Sequence, residues 1–149
     1  MKTADLSKFP IFSGLTPQEV QKIAAISEEV SFPDGEAIFR EGDRSLFLYL
    51  ILSGRISLRM SLPNQKSLAI GTLEPGEELG WSSVRRSKPY TATAVAIGTV
   101  EVVRIAAESL TKVFESDPRI GYYTCRGLLG IVAERLEEAR LRIANMQTG

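Results

Sequence analysis

The chain has 149 residues, 44% of them hydrophobic and 24% charged, and a formal net charge of zero. That size fits a single domain with an ordinary core, and the neutral balance argues against a general nucleic-acid binder. The absence of histidine removes imidazole catalysis, histidine metal ligation and the usual pH switch, and the single cysteine excludes an internal disulfide.

In chain order, the opening residues start no long apolar run, so no signal peptide is expected. Thr16-Pro17-Gln18-Glu19 places Thr at a helix cap, Pro at the first helical position and Glu at the third. This is a capping box, with Leu15 placed to pack on Val20 and a predicted end near Ser27. From Glu28 the hydrophobic period becomes that of strands. Residues 37–39, 46–52, 55–60, 67–73, 90–96 and 99–105 read as strands, separated by turns such as Pro33-Asp34-Gly35, Ser53-Gly54 and Pro63-Asn64-Gln65. About eight short strands are expected in all, a jelly-roll barrel over about residues 28–106. The run 46–52 is the longest apolar stretch and is far too short to cross a membrane, so a cytoplasmic protein without membrane contact is expected.

Residues 107–116 read as a second helix, and Asp117-Pro118 restarts the chain as a third, running to about Met146. Cys125 falls in an apolar-periodic part of it and is expected in the core. Leu129, Val132, Leu136, Ala139, Ile143 and Met146 follow one another at spacings of 3, 4, 3, 4 and 3, a heptad seam that predicts a homodimer. The alternative is a helix that packs this face on its own barrel. The flanking Arg135, Arg140 and Arg142 provide no opposite charge across a symmetric seam, while Glu138 is placed to pair with Arg142.

The stretch with the clearest chemical content is Gly80-Trp81-Ser82-Ser83, followed by the basic residues Arg85, Arg86 and Lys88, then Pro89 and Tyr90-Thr91-Ala92-Thr93. A glycine before small hydroxyl residues is suited to presenting backbone N–H groups to an anion. The cations either assist such a site or form a solvated loop. Ser82 or Ser83 as a nucleophile needs a base, and without histidine only carboxylates or amines remain, so no enzyme is expected.

With these elements in order, the chain resembles the cyclic nucleotide-binding domain of catabolite-activator-type regulators, protein kinase regulatory subunits and gated channels. The resemblance covers about residues 12–145. It is carried by Phe12-Ser13-Gly14-Leu15, Phe39-Arg40-Glu41-Gly42-Asp43, the segment 50–58 (L-I-L-S-G-R-I-S-L), Leu79-Gly80, Pro89 and Thr91-Ala92-Thr93. It implies an eight-stranded roll flanked by an N-terminal helix and a long C-terminal helix, with Leu79, Gly80, Trp81, Ser82, Ser83, Tyr90 and Thr91 as ligand-binding residues. The family's cassette has a Glu directly after its Gly, which binds the ribose hydroxyl, and an Arg about nine residues on, which pairs with the cyclic phosphate. Trp81 and Tyr90 occupy those positions here. Each lost charge-assisted contact is worth roughly 1.5–3 kcal/mol. Trp81 and Tyr90 either fill an emptied pocket or shape it for another ligand.

The Gly-Trp-Ser-Ser cassette with its Tyr-Thr-Ala-Thr strand is similar to that of small stand-alone bacterial proteins of this fold. Regulators of the family carry a helix-turn-helix after the long helix, and three residues beyond Met146 leave no room for one, so duplex DNA is not an expected partner. The expected function is a small-molecule-sensing regulatory domain that takes a cyclic nucleotide or another anionic metabolite and acts through a partner protein. The alternative is a ligand-free module for dimerisation or protein interaction.

Overall fold

A computed structural model describes residues 5–64, 66–84 and 88–148. Two short 3-10 turns, Leu6–Lys8 and Pro10–Phe12, lead into helix α1, Pro17–Ala24. Both bonds of the capping box are made: the Glu19 N–H donates to the Thr16 hydroxyl at 3.3 Å, and the Thr16 N–H to the Glu19 carboxylate at 2.8 Å. The helix stops three residues short of Ser27, because Ser27 already pairs with Ile105 as the first residue of strand β1, Ser27–Phe32.

Among the described residues the remaining strands are β2 (Ala37–Phe39), β3 (Phe47–Ser61), β4 (Ser67–Leu73), β5 (Glu78–Leu79) and β6 (Thr93–Ala106). They form one antiparallel sheet in the order β1-β6-β3-β4, with β2 also on β6 and β5 also on β3. The class is the expected one, mainly β with flanking helices in a jelly-roll arrangement, though the hydrogen-bonded path is open rather than a closed cylinder.

The expected breaks at Ser53-Gly54 and near Gly98 turn out to be bends inside two long strands. Gly54 has φ +82°, and a Cβ there would lie 2.4 Å from the Thr99 carbonyl oxygen. The residue is thus confined to glycine while the register shifts around it. Eight expected strands become six because a glycine bulge bends a strand without ending it.

The apolar run that opens β3 is buried on both faces. Leu48 and Leu50 point to one core, with Ile23, Val103, Ile105, Leu110 and Ile120; Tyr49 and Ile51 point to a second, with Phe39, Ile56, Val100 and Val102. The first core lies under the helices and the second inside the roll.

Helices α2, Ala107–Ser116, and α3, Pro118–Thr148, follow. The face of α3 turned to the body carries Ile120, Thr124, Gly127, Leu128 and Ile131. Cys125 lies about 100° round the helix from Thr124 and is exposed, contrary to the expectation of a core residue. Gly127 sets how closely α3 approaches the N-terminal segment, since a Cβ there would lie 2.6 Å from the Ile11 carbonyl oxygen. Replacing Gly127 with Ala is therefore expected to destabilise the fold by roughly 1–3 kcal/mol, read from urea unfolding.

Candidate functional site

The cassette begins at β5, where Glu78 and Leu79 pair with Leu50 and Tyr49 of β3. The chain then turns at Gly80, whose φ is +79° and whose absent Cβ would lie 2.8 Å from the Phe47 carbonyl oxygen. Only glycine fits there. A 3-10 turn, Trp81–Val84, follows and buries Ser82 and Ser83. The Ser83 N–H donates to the Gly80 carbonyl at 2.9 Å, so one N–H expected to face an anion is used inside the turn.

Tyr90 is buried and decides the character of the site. Its hydroxyl donates to the Phe47 carbonyl at 2.7 Å and accepts from the Phe47 N–H at 3.0 Å. Its ring stacks on Phe39 with centroids 3.8 Å apart and planes 14° from parallel. Its backbone bonds Gly42 and Asp43. Burial pushes the phenol from 10.0 up to about 12. Trp81 packs elsewhere, against the core under the helices, so the two aromatics lie in different cores and Tyr90 bonds the backbone rather than the indole.

A cavity of only about 50 Å³ remains, lined by Leu79, Gly80, Trp81, Ser82, Tyr90 and Thr91. Six of the seven expected residues thus meet in one place. Ser83 lies on the other side of the turn, lining a separate hollow with Ala107 and Thr111, and its hydroxyl has no hydrogen-bond partner. Lys88 is exposed and lies with Arg44 and Pro89 away from the cassette cavity, while Arg85 and Arg86 fall outside the described residues.

Two residues were not visible as site residues in the sequence. Glu78, in a Gly76-Glu77-Glu78 stretch that by sequence reads as a solvated turn, is 2% exposed. Its Oε1 lies 2.7 Å from a guanidinium nitrogen of Arg135 on α3, and the same nitrogen donates to the Glu78 carbonyl at 3.0 Å. Arg135, expected beside the dimer seam, instead turns inward and lines the cassette cavity. Burial pushes the Glu78 carboxyl up, and the Arg135 charge opposes that shift. The available signal was the strand itself: Glu78 pairs with Leu50 in the middle of the buried run.

The seam residues Leu129, Leu136, Ile143 and Met146 are exposed on the single chain, by 69%, 50%, 59% and 79%, and Val132 and Ala139 are half-buried. The face of α3 against the body is therefore a different one from the heptad face.

Tyr90→Phe strips both Phe47 backbone groups of a partner, and is expected to cost about 1–3 kcal/mol in chemical unfolding. The folded chain also holds the Tyr90 proton more tightly than the unfolded one. This contribution to stability is therefore constant below pH 10 and lost as pH rises toward 12; burial also raises the Tyr49 phenol, so ultraviolet titration should show late phenols of which Tyr90→Phe removes one.

The profile of the family described as "Cyclic nucleotide-binding domain" matches residues 29–117. The chain is 29% identical over 134 residues to the cyclic AMP receptor protein of Thermus thermophilus, covering 90% of this chain and 60% of that one. It is 26% identical over 141 residues to the CRP-like cAMP-activated global transcriptional regulator of Mycobacterium tuberculosis, covering 95% of this chain and 61% of that one. The chain thus spans about 60% of the length of these curated relatives. Among solved structures it is similar to a protein of Geobacter metallireducens assigned to cyclic nucleotide binding, at a TM-score of 0.78 and 32% identity, covering 88% of this chain and 95% of that one. With a roll, a cassette turn and a long helix in the same order, the chain belongs to the cyclic nucleotide-binding domain family.

Proposed function

We propose that the chain is a small-molecule-sensing regulatory domain whose ligand is neither cyclic AMP nor cyclic GMP, and which acts as a homodimer through a partner protein. The single observation that carries this reading is Tyr90. A neutral phenol, hydrogen-bonded at both its donor and acceptor sites to Phe47, stands where the resemblance implies a phosphate-binding Arg. Trp81 likewise offers an indole where the resemblance implies a ribose-binding carboxylate. The zero net charge favours a protein partner over a nucleic acid, and no catalytic role is assigned.

One observation favours the ligand-free reading, an interaction module that kept the fold. The cassette cavity of about 50 Å³ is far below the roughly 300–1,000 Å³ of small-molecule pockets. A ligand larger than an inorganic ion therefore requires Trp81 or Tyr90 to move.

The dimer rests on the heptad face. Its residues are apolar, self-complementary in spacing and largely uncovered on the single chain.

Calorimetric titration with cyclic AMP and cyclic GMP tests the first part. Losing two charge-assisted contacts weakens binding by roughly a hundredfold to tens of thousandfold if the terms add. The wild type should show no micromolar binding, and Trp81→Glu with Tyr90→Arg should recover part of it. Micromolar binding by the wild type overturns the reading. A panel of other anionic metabolites separates the sensor from the ligand-free module.

Light scattering tests the dimer. Leu136→Asp buries a charge only if the seam is closed, at a cost of about 3–5 kcal/mol. It should give a folded monomer, whereas a monomeric wild type at tens of micromolar, roughly the range in which a weak coil associates, overturns the proposal.

A further inference from the structure

The Tyr90 ring closes the cassette from inside, while the Tyr90 backbone belongs to a small ladder whose outer side is cationic. The ladder ties the loop between β2 and β3 to the segment that enters β6. The Gly42 N–H donates to the Tyr90 carbonyl at 2.9 Å, and the Tyr90 N–H donates to the Asp43 carbonyl at 3.0 Å. Arg44 and Pro89 form an antiparallel bridge, and the Ser45 hydroxyl donates to the Lys88 carbonyl. These ties fix the backbones of Arg44 and Lys88 relative to each other. Both residues line one hollow of about 310 Å³, together with Gly42, Ser45, Leu46 and Pro89.

That wall holds two cations and no carboxylate. Among the described residues neither Arg44 nor Lys88 makes a salt bridge. The acids nearest in sequence are turned elsewhere: Asp43 Oδ2 accepts from the Arg40 N–H at 3.2 Å, and Glu41 Oε1 from the Ser61 N–H at 3.0 Å. Ser45 also lines the hollow beside α2, where Lys112 pairs with Glu108 at 3.6 Å. Two like charges facing one hollow repel each other, and an anion between them turns that repulsion into attraction. The guanidinium fork matches two oxygens of a tetrahedral oxyanion, and the ammonium adds a mobile point charge. Gly42, at φ +89°, has no atom within 4 Å of where a Cβ would stand, so nothing fills the hollow on its side. The volume falls at the lower end of the roughly 300–1,000 Å³ of small-molecule pockets, which the cassette cavity of about 50 Å³ does not approach.

We propose that this hollow is an oxyanion site that takes a phosphate-bearing small molecule, held by Arg44 and Lys88 on the outer face of the Tyr90 segment rather than inside the cassette. The proposal rests on the sensor reading given above and names a ligand class and a place for it. An occupant gripped by both cations clamps the β2–β3 loop to the segment entering β6, and so reaches the cassette through the backbone of Tyr90.

The test is a titration at constant ionic strength, followed by NMR of the amides and of the Arg44 side-chain Nε. The probes are inorganic phosphate and glycerol 3-phosphate, with chloride as the reference anion. Saturable shifts should appear at Arg44 Nε and at the amides of residues 42–46. Glycerol 3-phosphate should bind more tightly than the bare ion, because the hollow has room beyond a phosphate; a site for the bare ion alone overturns the assignment. Arg44 and Lys88 are both exposed, so Arg44→Gln and Lys88→Gln should fold as the wild type does. Each should weaken binding by about tenfold or more, the worth of one charge-assisted contact. Arg55→Gln, at an exposed cation outside the hollow, should leave binding unchanged. Shifts that stay linear, that chloride reproduces, or that survive both substitutions overturn the site. Such a failure leaves the cassette reading standing, whereas micromolar cyclic AMP binding that Arg44→Gln does not weaken overturns the cassette reading alone.

Discussion

β3 and β6 run side by side from the Phe47–Ala106 pair to the Arg59–Thr93 pair, and every other strand except β4 and β5 hangs on β6. Those two hang on β3. Because side chains alternate across a strand, this one ladder feeds both cores. Leu48, Leu50, Val103 and Ile105 supply the core under the helices, and Tyr49, Ile51, Val100 and Val102 the core inside the roll. A slip of one residue would exchange the two sets and leave neither filled. The bulges around Ser53 and Gly54 bend the ladder so that its two halves face different neighbours.

The cassette is a product of that ladder. Phe47, the first residue of β3, offers its N–H and carbonyl to the Tyr90 hydroxyl, and its carbonyl also excludes any side chain at Gly80. Tyr90 thus completes the roll core and leaves only a small recess beside it. Its ring on Phe39 and its hydroxyl on Phe47 join β2 to β3 across the place where the resemblance implies a ligand phosphate.

Much of this was legible in the sequence because it is local. The capping box of Thr16 and Glu19, the span of α2, the turn glycines and the grouping of Leu79, Gly80, Trp81, Ser82, Tyr90 and Thr91 each follow from residues near one another or from the family's motif. The strand count was less legible, since Gly54 and Gly98 carry the same signature whether the chain bends or stops. Glu78 and Arg135 were hidden for a different reason. They are 57 residues apart, and charge in a Gly-Glu-Glu turn looks solvated until the third dimension brings α3 over β5. Cys125 was misplaced because the face that α3 buries is set by Gly127 meeting Ile11, a contact no hydrophobic period encodes.

That contact also fixes what kind of motion α3 can make. Gly14 sits under the Tyr123 ring and Gly127 under the Ile11 carbonyl, each with no space for a further carbon. Sliding the helix along its axis by one turn would bring a side chain to a spot that holds none. The N-terminal half is therefore a fulcrum, and only pivoting is left to the remainder. From Gly127 to Met146 the helix is a lever arm of roughly 28 Å, so a tilt of about 10° at the fulcrum sweeps its tip by roughly 5 Å.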